Sequence, residues 1–256
     1  MKKHPLLWFF LLTFLITWGL AGLFFGFQPF YERIFGKISA TNPVFILAVW
    51  GPNIAAVIMT LVAGERGALK ALLKRFIPVK AGIWWYLAVI VLIPLSGSLI
   101  NLLTGTPLTF TGQTPALSLS MMLAILISGP LGEELGWRGY ALPRMLEKRS
   151  ALAAGLLLGL IWGLWHLPTF FTPGLPQAGL QIPAFILSAV SLSVIVTWIF
   201  VNTGQNLFFI FLFHYFVNFT FSLIGTKFLY VSGVFILVAL IVILLYGKEL
   251  KVKKTR

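Results

Sequence analysis

Residues 117–138 read LSLSMMLAILISGPLGEELGWR, an apolar run that ends in two adjacent glutamates, Glu133 and Glu134, followed one helical turn later by Arg138. The run approaches the ~20 residues that an α-helix needs to cross the hydrocarbon of a bilayer. A single charged side chain at mid-membrane costs roughly 2.5–3.5 kcal/mol on the lenient insertion scale, and a pair about twice that. The whole chain has only six acidic residues, all of them glutamate. No structural need places two of them here. The pair therefore reads as a functional site, and the rest of the sequence has to supply its partners.

The surrounding composition fixes the solvent. Of 256 residues, 59% are hydrophobic and 10% charged, with a mean hydropathy of +0.98. A soluble domain is about one quarter charged, so this chain reads as an all-α polytopic membrane protein. Its length suits one bundle, taken as a single domain over 1–256. With no cysteine there is neither a disulfide nor a thiol nucleophile.

Eight apolar segments recur along the chain, near 5–27, 44–63, 83–103, 117–137, 151–167, 183–201, 206–224 and 228–246. Gly64, Pro78, Pro107, Pro168, Pro173, Pro176, Gly204 and Gly225 mark the breaks between them. The first segment follows Lys2 and Lys3, but it exceeds the usual signal-peptide core of about 7–15 residues and no A-x-A site follows, so it reads as a retained span.

Charge sets the orientation. The net charge is +13, and of the 19 Lys and Arg only Arg33, Lys37 and Lys227 lie in one set of alternate loops, leaving 16 in the other set and at the termini. Those 16 sit at the N-terminus, in 64–80, in 138–149 and in the C-terminal tail. This is the positive-inside pattern rather than a nucleic-acid footprint, and it predicts cytoplasmic termini in a multi-pass protein of the plasma membrane. The stretch 66–77, RGALKALLKRFI, carries leucines at helical spacing among basic residues and predicts a short helix on the cytoplasmic lipid surface.

Few strongly polar groups fall within the spans: Glu133, Glu134 and Arg138 in the fourth, His166 in the fifth, His214 and Asn218 in the seventh. Glu134 and Arg138 are one turn apart, acid before base, and so predict an ion pair that leaves Glu133, rotated by about 100°, to point elsewhere. His166 follows the stripe Gly155, Gly159, Gly163, which lets a neighbouring helix approach closely and turns the histidine toward the bundle interior. If the fourth and fifth spans turn near Arg149–Ser150, then Glu133 and His166 reach similar depth, and His214 lies about 15 Å beyond the Gly204 turn. Pro130 predicts a kink just before the glutamates.

These groups suffice for peptide hydrolysis. Glu133 and His166 could activate a water, with Glu133 as general base, while His214 and Asn218 donate to the oxyanion. Glu133, His166 and His214 could instead hold zinc with an open water position, and spacing leaves metal-free and metal-dependent chemistry open. There is no H-E-x-x-H, no aspartate for an aspartyl dyad and no G-x-S-x-G elbow.

The motifs resemble those of the CPBP intramembrane proteases, a family that includes type II CAAX prenyl proteases and bacteriocin-processing or self-immunity proteins. E-E-x-x-x-R appears as Glu133-Glu134-Leu-Gly-Trp-Arg138, F-x-x-x-H as Trp162-Gly-Leu-Trp-His166, and H-x-x-x-N as His214-Tyr-Phe-Val-Asn218, in that order on three spans. The motif-bearing core runs over about 117–224. Trp162 replaces the usual Phe, a change expected to touch packing more than chemistry. The resemblance implies a bundle of about eight helices with a site reached from the cytoplasm, acting on a membrane-associated peptide or protein. It also implies Glu133 as base or metal-site residue, His166 as its partner, His214 and Asn218 as oxyanion support, and Glu134 and Arg138 as supporting structure. Two other functions use similar residues: a non-enzymatic immunity or scaffold protein, and a proton-coupled transporter. The transporter lacks an inverted repeat here.

Overall fold

The computed structural model describes residues 1, 3–64, 66–79, 81–106 and 115–252, without the side chains of 115–118 and 223. Lys2, Lys80, the break at Pro107 and the end of the basic tail lie outside the described residues.

The described residues form helices and connecting turns, with no strand among them. In order the helices are α1 (Pro5–Gly26), α2 (Gln28–Phe35), α3 (Pro43–Val49), α4 (Gly51–Ala63), α5 (Ala68–Lys74), α6 (Ile83–Ile90) and α7 (Leu92–Leu103). After these come α8 (Pro115–Ile127), α9 (Pro130–Glu134), α10 (Leu142–Leu146), α11 (Ala151–Trp165), α12 (Leu167–Phe170), α13 (Ile182–Asn202), α14 (Leu207–Phe219) and α15 (Phe228–Tyr246). Two π-helical segments interrupt the series, Leu135–Ala141 after α9 and Thr220–Ile224 after α14.

Among the described residues five continuous stretches are long and apolar enough to cross a membrane: Pro5–Gly26, Ile83–Leu103, Leu119–Leu146, Ile182–Asn202 and Phe228–Glu249. The pair α3–α4 makes a sixth if it is taken as one span bent by 52°, and Ala151–Trp165 and Leu207–Ser222 are shorter apolar helices. The chain is therefore a multi-pass membrane protein. Its helix ends follow the sequence signals: Gly64 and Gly204 stop α4 and α13 with φ of 74° and 70°, a region open to glycine.

Packing follows residue size. Along α11 the Gly155, Gly159, Gly163 stripe lies against α13, where a Cβ on Gly159 would sit 2.7 Å from both Ser193 Cβ and Val190 Cα. Without a side chain there the two backbones come together, and van der Waals contact of this kind is what holds helices in lipid. One buried apolar cluster runs from Phe9 to Leu250, with Trp137, Tyr140, Phe200 and Phe209 among its fully enclosed members.

The sequence reading treated 44–63 and 117–137 as plain spans, and both are broken. Pro52 lacks the N–H that α3 would need to continue, and the bend falls at Trp50–Gly51. The fourth span runs on to Leu146 and changes form twice. It stops at Gly129, restarts with Pro130 at the head of α9, and widens into the π segment 135–141. The stretch 66–77 gives the seven-residue α5, whose Leu72 is buried against the bundle while Lys70 and Leu73 face outward.

Candidate active site

The broken fourth span exposes backbone groups that lipid cannot satisfy, and side chains from elsewhere satisfy them. Trp50 Nε1 donates to Ile127 O at 3.0 Å. Asn53 clasps both sides of the break in form, Nδ2 donating to Leu131 O at 2.7 Å and Oδ1 accepting from Gly136 N at 3.0 Å. Arg75 Nη1 donates to Gly139 O at 3.1 Å. A Cβ on Gly136 would collide with the Pro52 carbonyl, so only glycine lets α4 lie this close. These contacts hold Glu133 and Glu134 at the junction of α9 and the π segment.

The two carboxylates then diverge. Glu134 Oε1 meets Arg138 Nη1 at 3.2 Å and His214 Nδ1 at 2.6 Å. Glu133 turns away and accepts a 2.6 Å hydrogen bond from Trp162 Nε1 through Oε2. Both glutamates and Arg138 are 4% exposed or less. Arg138 also lies over the Trp162 ring, 4.6 Å from its centroid.

Trp162 is the hub of the site. Its ring centroid lies 5.3 Å from that of His166 and 5.6 Å from that of His214, both edge-on. His166 Nδ1 is 2.8 Å from Trp162 O. A carbonyl only accepts, so Nδ1 carries a proton, and in the neutral imidazole Nε2 keeps a lone pair. Asn218 packs beside Gly129 at the break, where a Cβ would come 2.7 Å from its Nδ2.

Glu133, Trp162, His166, His214 and Asn218 all line one cavity of about 760 Å³, whose remaining wall is mostly apolar. The spans therefore bring together Glu133, His166, His214 and Asn218, as well as Glu134 and Arg138 behind them. Among the described residues no three His, Asp or Glu side chains come together to hold a metal ion. The expected ligand set of Glu133, His166 and His214 is therefore not gathered as a metal centre; Trp162 takes Oε2 of Glu133 and Glu134 takes Nδ1 of His214. As placed, the three donors do not form a zinc site.

A second expectation needs correction. No lining residue falls in 50–119, 134–161 or 193–213 among the described residues, and the exposed lining residues are Thr41, Ser120 and Pro176. The mouth is thus at the end of the bundle opposite the basic segments. Cytoplasmic termini and a site entered from the cytoplasm, both expected from the sequence, are incompatible in this fold.

Residues 115–220 match the family model described as type II CAAX prenyl endopeptidase Rce1-like. The chain is also 26% identical to CAAX prenyl protease 2 of Methanococcus maripaludis over 275 residues, covering 99% of this chain and 97% of that protein. The chain is thus similar to the Rce1-like family over 115–220 and to this relative over nearly its full length. The matched Rce1-like region contains every residue that the three motifs supply, and Trp162 as well. It omits Trp50, Asn53 and Arg75, which the sequence reading also passed over. Asn53 carried a usable signal, a carboxamide inside an apolar run. Trp162 carried one too: an indole N–H buried in a span needs an acceptor.

Proposed function

We propose that this chain is an intramembrane endopeptidase that hydrolyses a peptide bond in a membrane-associated or lipid-anchored polypeptide. One observation carries the reading: Glu133, fixed through one oxygen by Trp162, shares an apolar cavity with His166, His214 and Asn218. The similarity of 115–220 to the Rce1-like family supports the same reaction class.

In this reading a water sits between Glu133 Oε1 and His166 Nε2. Glu133 removes a proton as the water oxygen bonds to the scissile carbonyl carbon, and the carbonyl π electrons move onto oxygen. That oxyanion accepts from Asn218 Nδ2–H and, with His214 as imidazolium, from His214 Nε2–H. The C–N bond then breaks, protonated Glu133 gives its proton to the leaving nitrogen, and the carboxylate is regenerated. Glu134 is more than a staple here, because it holds Nδ1–H of His214 and aims Nε2 at the cavity. With His214 charged, two carboxylates face two cations and the cluster is neutral, which a buried site requires.

The topology belongs to the same proposal. Eight segments cross the plasma membrane: the five long stretches, bent α3–α4, α11 and α14. Both termini are cytoplasmic, as the 16 of 19 basic residues gathered at one end suggest. The chain acts as one domain over 1–256.

The test is purified protein in lipid vesicles, offered fluorogenic peptide tails with and without a prenylated cysteine. Wild type cleaves at least one, and Glu133→Gln, equally well folded, falls to background. A Glu133→Gln protein that retains the full rate refutes the base assignment. Binding of tails without cleavage transfers the protein to the immunity or scaffold reading.

A further inference from the structure

The basic segments are tied to one another at one end of the bundle. Leu207 N donates to Arg75 O at 2.8 Å, Asn206 Nδ2 to Ile77 O at 2.7 Å, and Asn202 Nδ2 to Leu250 O at 2.7 Å. Arg75 reaches Gly139 from the same side, and α11 starts there, directly after Lys148 and Arg149. This end is closed. Trp137, Arg138, Tyr140, Leu142 and Leu207 are each 2% exposed or less, and they fill the space between the basic surface and the glutamates.

At the other end the cavity is open. Its rim is made by Ile38–Thr41, by the Thr172–Leu180 connection, by Ser120 in α8 and by Phe228 at the start of α15. The only Lys or Arg in the connections at this end are Arg33, Lys37 and Lys227. Cytoplasmic connections of a membrane protein carry the excess of Lys and Arg, and that bias sets the orientation of the bundle.

We infer that the cavity opens to the extracytoplasmic face, so that its substrate is an exported polypeptide, tethered in or emerging from the outer leaflet, rather than a cytoplasmic protein. The walls suit such a tail. Leu20, Phe24, Phe45, Ile125, Leu180 and Phe185 offer an apolar slot for an aliphatic or lipidated segment, on the same cavity wall as Glu133, His166, His214 and Asn218. An aliphatic segment held on the walls sets the depth at which the peptide bond meets Glu133. The substrate clause rests on the proposed peptidase reading; the direction of the mouth does not.

The absence of native cysteine makes every introduced thiol a unique reporter. Thr41→Cys and Ala178→Cys mark the mouth, and Lys74→Cys and Arg149→Cys mark the closed end; all four positions are exposed. With a membrane-impermeant maleimide, the mouth pair labels in intact cells and the other pair only after permeabilisation. The reverse pattern, or labelling of both pairs in intact cells, overturns the inference. A second arm adds a fluorogenic, impermeant peptide to sealed vesicles of known sidedness. Right-side-out vesicles cleave it and inside-out vesicles do so only after detergent; cleavage by intact inside-out vesicles alone overturns the substrate clause. Cleavage by neither, even in detergent, counts against the peptidase reading and the substrate clause with it, and the thiol labels still decide the direction of the mouth.

Discussion

Trp162→Phe isolates the indole N–H from everything else the side chain does. Phenylalanine keeps an aromatic ring against His166 and His214 and under Arg138, where cation–π attraction is about 0.5–2 kcal/mol and persists with Phe. It is also the residue usual at this point of the motif, so the substitution is expected to fold. What disappears is the 2.6 Å hydrogen bond to Glu133 Oε2. A hydrogen bond to a charged group is worth about 1.5–3 kcal/mol, and about 1.36 kcal/mol is a factor of ten in rate. If that bond acts by holding Glu133 against the attacking water, kcat falls roughly 10- to 150-fold while KM changes little. The assay is initial-rate cleavage of the best peptide tail, with folded fraction measured on the same sample. A spectroscopic reading separates position from packing. In ¹⁵N-labelled protein the Trp162 indole resonance shifts in Glu133→Gln and not in Asn218→Ala. An unchanged kcat in well-folded Trp162→Phe refutes the reasoning, as does a loss of rate that only tracks a loss of folded protein.

Two further substitutions test the supports. Arg138→Ala leaves Glu134 buried without its guanidinium, and breaking one side of a buried pair costs about 3–5 kcal/mol; folded yield and the thermal midpoint fall more than specific activity, and a normally stable but inactive Arg138→Ala moves Arg138 into the chemistry. Asn218→Ala removes one oxyanion donor and lowers kcat by about 100- to 1,000-fold with the cavity intact, read by single-turnover cleavage; retention of the full rate leaves His214 as the sole donor.

Much of the membrane architecture was legible because lipid imposes simple rules. Length and apolarity located α1, α13 and α15 to within a residue or two, and the glycine stripe of α11 foretold a close neighbour, which is α13. The polar residues of the site were legible for the same reason: a carboxylate or imidazole in a span has few innocent explanations. Their pairing was less so. Helical spacing placed Arg138 beside Glu134, but a contact such as His214 to Glu134 spans 80 residues and depends on how two helices rotate against each other. The π segment was invisible, because one widened turn follows from tertiary contacts, here Asn53 and Arg75, and leaves no periodic trace. The mouth was not legible from spacing, because depth arithmetic gives the height of a site in a bundle and not which end the packing leaves open; the expected cytoplasmic entry came from the resemblance alone.

The residues that shape the site lie partly outside the motifs, and the reason is the cost of irregular backbone in hydrocarbon. A span that breaks at Gly129 and widens at 135–141 strands several backbone groups, each worth several kcal/mol if left without a partner in lipid. Trp50 and Asn53 supply two of those partners from the bend between α3 and α4, and Arg75 supplies another from the segment that follows α5. The bend itself exists because Pro52 ends one helix and Gly136 leaves room for its carbonyl. The glutamates can therefore be presented to a cavity only if residues 50–75 are in place. This makes 115–220 the region that carries the candidate site but not a unit that could hold its own geometry. One end is shut because Arg75 meets the π segment from the basic side while Trp137, Arg138, Tyr140, Leu142 and Leu207 fill the space there, leaving the opposite end as the way in.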